Sequence, residues 1–125
     1  MIITINKIEK DIVKFSSEYG EAYGRWKDNL PPSLNKYGVE LDYGGILNIS
    51  QLKLSDIQIP RIKINEDFIE IIGKVIDVEE KCLTVQIGDS IIEFEICNDK
   101  KLQEINGKFI KINLPYINIY NENLI

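Results

Sequence analysis

Five carboxylate side chains in the second half of the chain offer the most chemistry: Asp77, Glu79, Glu80, Glu93 and Glu95. Two carboxylates can divide the roles of acid and base only when burial raises the pKa of one of them. In "SIIEFEI" the apolar residues alternate with the acidic ones, which places Glu93 and Glu95 on the solvent side of a strand. The five residues therefore predict an anionic binding surface rather than a catalytic pair.

Other catalytic and metal-binding chemistries lack the residues they need. The chain has no histidine, and Cys82 and Cys97 do not have the Cys-x-x-Cys spacing of zinc and redox sites. It also has no G-x-x-x-x-G-K-[ST] phosphate loop, no G-x-S-x-G elbow and no G-x-G-x-x-G dinucleotide motif. We therefore expect a protein that is not an enzyme and that has no cofactor and no metal.

Charge is distributed unevenly along the chain. Residues 66–125 carry twelve acidic and six basic side chains, whereas residues 1–65 carry eight acidic and nine basic ones. The net charge of −5 makes nucleic acid an unfavourable partner, because phosphate binding draws on clustered Lys and Arg. It suits a basic protein partner, although an acidic surface that only keeps the domain soluble explains the charge equally well.

The first 35 residues contain a regular apolar pattern around "EYGEAYGRW". Its members are spaced by three or four positions: Ile8, Ile12, Phe15, Tyr19, Tyr23, Trp26 and Leu30. At the helical rotation of about 100° per residue they fall within an arc of about 80°. This spacing predicts one amphipathic helix over residues 7–29, ended by Pro31. The helix is expected to pack on the core, and Tyr19, Tyr23 and Trp26 would contact a partner if the stripe were exposed.

Strand-like alternation begins near residue 67. "IIGKVIDVEEKCLTVQIGDSIIEFEI" contains three strands, with a change of phase beside Gly73 that predicts a β-bulge. Gly88 and Asp89 predict a tight hairpin turn between the second and third of these strands. Leu83, Val85 and Ile87 are expected to point inward, as are Ile92, Phe94 and Ile96.

A short helix and two more strands complete this half of the chain. "KKLQEI" predicts the helix, with Asn98 or Asp99 as its N-cap, and "GKFIKI" and "YINIY" predict the strands. The resulting order, β-β-β-α-β-β, resembles the OB fold, a five-stranded Greek-key barrel. The resemblance implies a barrel formed by about half of the chain.

These elements predict a single α+β domain over residues 1–125. Residues 1–35 are expected to be helical, residues 36–66 to form irregular structure or edge strands, and residues 67–125 to form the OB-like part. The N-terminal amphipathic helix would pack on a mostly antiparallel, OB-like barrel or curved sheet. No segment has the pattern of a signal peptide or a membrane span, so we expect a cytoplasmic protein without membrane contact.

A small acidic chain without a catalytic site resembles the immunity proteins of bacterial toxin systems. The resemblance implies a non-catalytic protein-binding module that masks a basic toxin domain, such as a nuclease, with the five carboxylates as its contacts. The alternative is a nucleic-acid-binding or assembly accessory protein on an OB-like barrel. Lys108, Lys111, Tyr116 and Tyr120 favour that alternative, but the outward residues of the strands offer no basic, aromatic groove.

Overall fold

The computed structural model describes residues 1–97 and 100–122, and almost all of this part of the chain is β-structure. Its strands are β1 (Ile2–Glu9), β2 (Ile12–Ser17), β3 (Gly20–Trp26), β4 (Lys36–Asp42), β5 (Ile46–Leu47), β6 (Leu52–Leu54), β7 (Arg61–Asn65), β8 (Phe68–Val78), β9 (Cys82–Ile87), β10 (Ser90–Ile96), β11 (Phe109–Leu114) and β12 (Asn118–Asn121). Two short 3-10 helices, Ile49–Gln51 and Lys100–Ile105, are the helical elements described. The predicted α+β class is therefore wrong.

The N-terminal helix predicted over residues 7–29 is also wrong, because this segment forms the antiparallel meander β1–β2–β3. Val13 and Phe15 on β2 are buried, and so are Ala22 and Trp26 on β3, which is the period of two that strands require. Two-residue turns after β1 and after β2 shift the phase of this pattern. The shifts mimic a spacing of three and four, and so four members of the supposed stripe are exposed: Ile8, Ile12, Tyr23 and Leu30.

Glycine at position 20 gives a physical reason for the meander. Gly20 opens β3 with a φ of +132°, and a Cβ at this position would collide with the carbonyl oxygen of Ile62 on β7. This close approach joins β3 to β7 through the pair Gly20–Ile62. A helix through residue 20 would forfeit that junction.

The first five-stranded barrel is formed mainly by the N-terminal third of the chain. β1 pairs with β2 and β4, β2 pairs with β3, and β12 closes the ring by pairing antiparallel to β4 and parallel to β3. The closing pairs place Ile119 beside Leu41 on one side and beside Trp26 on the other. The interior is filled by buried apolar side chains: Ile3, Ile5, Val13, Phe15, Ala22, Val39, Leu41 and Ile119.

A second ring of strands surrounds the other part of the core. β8, β9 and β10 form a meander, and β11 returns to pair with β8. Residues 46–54 close the ring, because β5 pairs parallel to β10 and β6 pairs antiparallel to β11. The predicted order of three strands, a short helix and a fourth strand is confirmed, except that the helix is of the 3-10 type and its predicted N-cap, Asn98 or Asp99, lies outside the described residues.

The fifth strand of the second barrel is not the one that the sequence predicts. "YINIY" forms β12 and joins the first barrel, while residues 46–54, which precede β8 in the chain, take the place of a fifth strand in the second. Two barrels in tandem have therefore exchanged their fifth strands within one chain. The links that carry this exchange meet where Tyr43 packs on Tyr116, with ring centroids 5.1 Å apart.

The two barrels repeat the same register seventy residues apart. The pairs Ile5–Phe15, Lys14–Tyr23 and Ile12–Arg25 of the first barrel recur as Val75–Val85, Thr84–Glu93 and Cys82–Glu95 of the second. A register shift also recurs, between Ile5 and Lys7 and between Val75 and Asp77. The predicted bulge is therefore present, but it lies at Ile76 rather than beside Gly73.

The inward and outward positions predicted for the second barrel are confirmed. Leu83, Val85 and Ile87 are buried, as are Ile92, Phe94 and Ile96. Ile87 pairs with Ser90, so Gly88 and Asp89 form the predicted two-residue turn. Residues 36–66, predicted to be irregular, contain β4 to β7 and supply strands to both barrels.

Candidate functional site

The outer face of the β8–β9–β10 meander is acidic. Asp77 pairs with Thr84, and Thr84 pairs with Glu93, so the two carboxylates lie in one cross-strand row, two strand spacings or about 10 Å apart. Glu95 follows Glu93 on the same face of β10, opposite Cys82. All three carboxylates are exposed, which places them where the alternation predicted them.

The turn after β8 extends this acidic face. Glu79 donates its backbone N–H to the carbonyl oxygen of Cys82 at 2.8 Å, and Glu80 follows in the turn. Both side chains are exposed. The five carboxylates predicted as partner contacts therefore lie on one meander of the second barrel.

A cleft continues the acidic face toward the first barrel. It has a volume of about 340 Å³ and is lined by Glu40, Leu41 and Asp42 of β4 and by Ile91 and Glu93 of β10. We call it the acidic cleft. Because β4 belongs to the first barrel and β10 to the second, the cleft exists only through the packing of one barrel on the other.

The carboxylates of the acidic cleft are not neutralised by the described residues. The salt bridges described in the structure are those of Glu70, which Lys63 approaches to 3.1 Å and Lys111 to 3.5 Å on the far side of the second barrel. An exposed carboxylate without a counter-charge retains its full attraction for an incoming cation. The cleft can therefore bind basic groups, and its solvation makes it a poor place for acid–base catalysis.

Sequence reasoning missed Glu40 and Asp42. The signal was present, because Val39 and Leu41 alternate with them and are buried in the first barrel. What the pattern does not contain is the neighbour of β4 in space, and so these carboxylates were not connected to Glu93.

The three aromatic residues predicted as alternative contacts have three separate roles. Trp26 is buried, and its indole N–H donates to the carbonyl oxygen of Leu30 at 2.8 Å. The Tyr19 hydroxyl donates to the Asp89 carboxylate at 2.8 Å and accepts the backbone N–H of Asp89 at 3.1 Å. Tyr23 is exposed on the outer face of β3.

The face of the first barrel that is equivalent to the acidic meander has the opposite character. Lys14 lies 5.9 Å from the ring centroid of Tyr23, and the Arg25 guanidinium lies 4.0 Å from that of Tyr116. By the repeated register, Tyr23 and Arg25 occupy the positions that Glu93 and Glu95 occupy in the second barrel. Two equivalent faces thus present cations with aromatic rings on one barrel and carboxylates on the other.

Two titratable groups have perturbed pKa values outside the acidic cleft. Burial by itself would raise the pKa of Glu70, but the ammonium groups of Lys63 and Lys111 outweigh it and hold this pKa below its ordinary value. Burial raises the pKa of Tyr19 to about 12, and donation to the Asp89 carboxylate acts in the same direction. The first pair of interactions stabilises the second barrel, and the second ties the β2–β3 turn to the β9–β10 turn.

Within residues 1–97 and 100–122 no group of three or more Cys, Asp or Glu side chains is placed to hold a metal ion. In the same part of the chain no helix is long and apolar enough to cross a membrane. No protein-family model matches the chain, and no curated protein and no solved structure matches it either. The use of either face is therefore inferred from its geometry and charge.

Proposed function

We propose that the chain is a non-catalytic protein-binding module that docks a basic partner on its acidic cleft. The observation that carries this proposal is the convergence of Glu40 and Asp42 with Glu93 on one cleft, with no described cation to neutralise them. The partner we propose is a basic, nuclease-type bacterial toxin, which the chain would neutralise by masking it, as immunity proteins do.

The surroundings of the acidic cleft suit a protein partner better than a small cation. Ile91 in the cleft and Ile46, which pairs beside Glu95, are each about half exposed, at 50% and 51%. Protein interfaces combine an apolar centre with a polar rim, and charge complementarity speeds their association. A basic domain with apolar side chains among its cations fits such a surface.

The experiment uses the protein that is encoded immediately upstream of this chain in its native genome, the position expected for a cognate toxin gene. That protein is expressed in a bacterial host alone and together with this chain, and growth is measured. We expect the upstream product to arrest growth, and co-expression of this chain to restore it. The double variant Glu93→Lys/Glu95→Lys should fail to restore growth, because it replaces attraction by like-charge repulsion.

A matched control separates the acidic cleft from net charge. Glu9→Lys/Glu104→Lys makes the same change of charge at two other exposed glutamates and should restore growth fully. Equal rescue by both double variants would contradict the proposed docking surface. An upstream product that is harmless, and that does not bind this chain, would contradict the proposed partner.

Nucleic-acid binding, as an accessory protein, is a second candidate, because one observation favours it. Lys14, Tyr23 and Arg25 lie together on the β2–β3 face of the first barrel, and a cation next to an aromatic ring is the pairing that binds single strands. Glu21 on the same face opposes a phosphate backbone. Tight binding of a single-stranded oligonucleotide at physiological salt, lost in Arg25→Ala, would favour this candidate over the first.

A further inference from the structure

A groove opens between the two barrels on the side of β3 that faces away from β2. It has a volume of about 350 Å³, and its walls come from β3, from the β7–β8 hairpin and from the link before β12. Its exposed apolar side chains are those of Ile12, Tyr23, Ile64 and Phe68. We call it the inter-barrel groove.

The backbone of β3 lacks a partner strand along this groove. Arg25 donates its N–H to the carbonyl oxygen of Ile117, on the side away from β2. Since alternate residues of a strand direct their N–H and C=O groups to the same side, those of Tyr23 point into the groove. Among the described residues, β7 pairs with β3 only at Gly20, and β12 pairs with it only from Arg25 onward.

The edge of β7 across the groove is open in the same way. Ile62 donates its N–H to the carbonyl oxygen of Tyr19, toward β3. The N–H and C=O groups of Ile64, two residues further on, therefore also face the groove, where the described residues provide no strand to pair with them. An exposed strand edge is a template for another extended chain.

The charges around the groove select among extended occupants. Lys14 and Arg25 on one wall have no ion-pair partner among the described residues, and the stacking of Arg25 on Tyr116 leaves its N–H groups free for a carboxylate. Glu66 and Asp67 on the other wall repel a polyanion such as a nucleic acid strand. A peptide with a few acidic side chains satisfies both walls.

We propose that the inter-barrel groove binds an extended, acidic peptide segment of a partner, which adds as a strand to the open edge of β3. Backbone hydrogen bonds to Tyr23 would hold the segment, and its alternate apolar side chains would pack on Tyr23 and Phe68. Its carboxylates would reach Arg25 and Lys14. The groove belongs to a different surface from the acidic cleft, so this proposal does not depend on the basic partner proposed above.

Amide hydrogen exchange tests the open edge without any ligand. We expect the amide of Tyr23 to exchange at least about tenfold faster than those of Ala22 and Gly24, which point toward β2. The experiment is then repeated with an acetylated heptapeptide of alternating valine and glutamate. We expect the peptide to slow the exchange of Tyr23 by about tenfold or more, and Arg25→Ala to weaken its binding by a similar factor, whereas Lys53→Ala on the second barrel should not.

Three control ligands separate this proposal from other occupants. The same peptide with alternate amides N-methylated should not bind, and the peptide with lysine in place of glutamate should bind more weakly. A single-stranded thymidine oligonucleotide should leave the exchange of Tyr23 unchanged.

Several outcomes would overturn the proposal. They are protection of Tyr23 equal to that of its neighbours in the free protein, no binding of the acidic peptide, or equal binding of the N-methylated or lysine peptide. Slowing by the oligonucleotide alone would assign the groove to nucleic acid, and slowing that grows with protein concentration without peptide would assign it to a second copy of the chain.

Discussion

The hydrogen-bonded contact between Tyr19 and Asp89 is expected to be the polar tie between the tips of two hairpins, one from each barrel. Tyr19 lies in the turn between β2 and β3, and Asp89 lies in the turn between β9 and β10. The substitution Tyr19→Phe keeps the ring and removes only the hydroxyl. It therefore deletes the bond to the carboxylate, at 2.8 Å, and the bond from the backbone N–H, at 3.1 Å.

The expected loss follows from these two bonds. A typical net contribution is about 1 kcal/mol per hydrogen bond, and a bond to a charged group contributes more. Both groups of Asp89 can turn to water when the hydroxyl is gone, because this side chain is exposed, and so no buried orphan remains. We expect Tyr19→Phe to lower the free energy of unfolding at pH 7 by about 1.5 kcal/mol, measured by urea denaturation.

The dependence of this loss on pH has a definite sign. The pKa of Tyr19 is raised from 10.0 to about 12 in the folded protein. A raised pKa contributes stability that is complete below the unfolded value and is lost as the pH rises through the folded value. The difference in stability between wild type and Tyr19→Phe should therefore be constant up to about pH 10 and should shrink between about pH 10 and 12.

A matched control and a clear refutation exist for this prediction. Tyr120→Phe removes a hydroxyl for which the structure shows no partner, on an exposed ring, and should change the free energy of unfolding by less than about 0.5 kcal/mol. If Tyr19→Phe is as small in effect as Tyr120→Phe, the contact does not tie the barrels. If the difference from wild type persists unchanged at pH 12, the origin assigned to the raised pKa is wrong.

Three further predictions concern the core and the backbone. Glu70→Gln should lower the free energy of unfolding by about 1–2 kcal/mol at pH 7, and because the pKa of Glu70 is lowered, the difference from wild type should narrow as the pH falls below about 4; a difference that is the same at pH 3 would contradict the ion pairs. Phe94→Ala should cost about 3–5 kcal/mol in urea denaturation because Phe94 is fully buried, whereas Phe68→Ala, on the surface, should cost less than about 1 kcal/mol. Gly20→Ala should lower the melting temperature more than Gly107→Ala does, since both have positive φ but only Gly20 would also place a Cβ against a neighbouring backbone; the reverse order would refute the β3–β7 junction.

The second barrel was predictable from sequence because its alternation is continuous within each strand. Ile92, Phe94 and Ile96 keep one phase through β10, and the turn at Gly88 carries its own signal. The first meander was not predictable in this way. Its turns contain no glycine or proline, and each inserts two residues, so the strand pattern passes for a helical one near Tyr19.

The exchange of fifth strands lies beyond any local pattern. β12 alternates like any other strand, and nothing in its residues distinguishes pairing with β3 from pairing with β10. The choice is made by long-range packing, through contacts such as that of Tyr43 with Tyr116 at the crossing links. For the same reason the exposure of Glu93 could be predicted, but not its position opposite Glu40 and Asp42.

The most direct test of the acidic cleft uses the carboxylates that only the fold brings to it. Binding of the upstream-encoded protein is measured by isothermal titration calorimetry for wild type and for Glu40→Lys/Asp42→Lys, at low and at physiological salt. We predict that the double variant binds at least about tenfold more weakly, a loss of about 1.4 kcal/mol or more, and that the wild-type affinity falls as salt is raised. Unchanged affinity in the double variant at both salt concentrations would contradict the account.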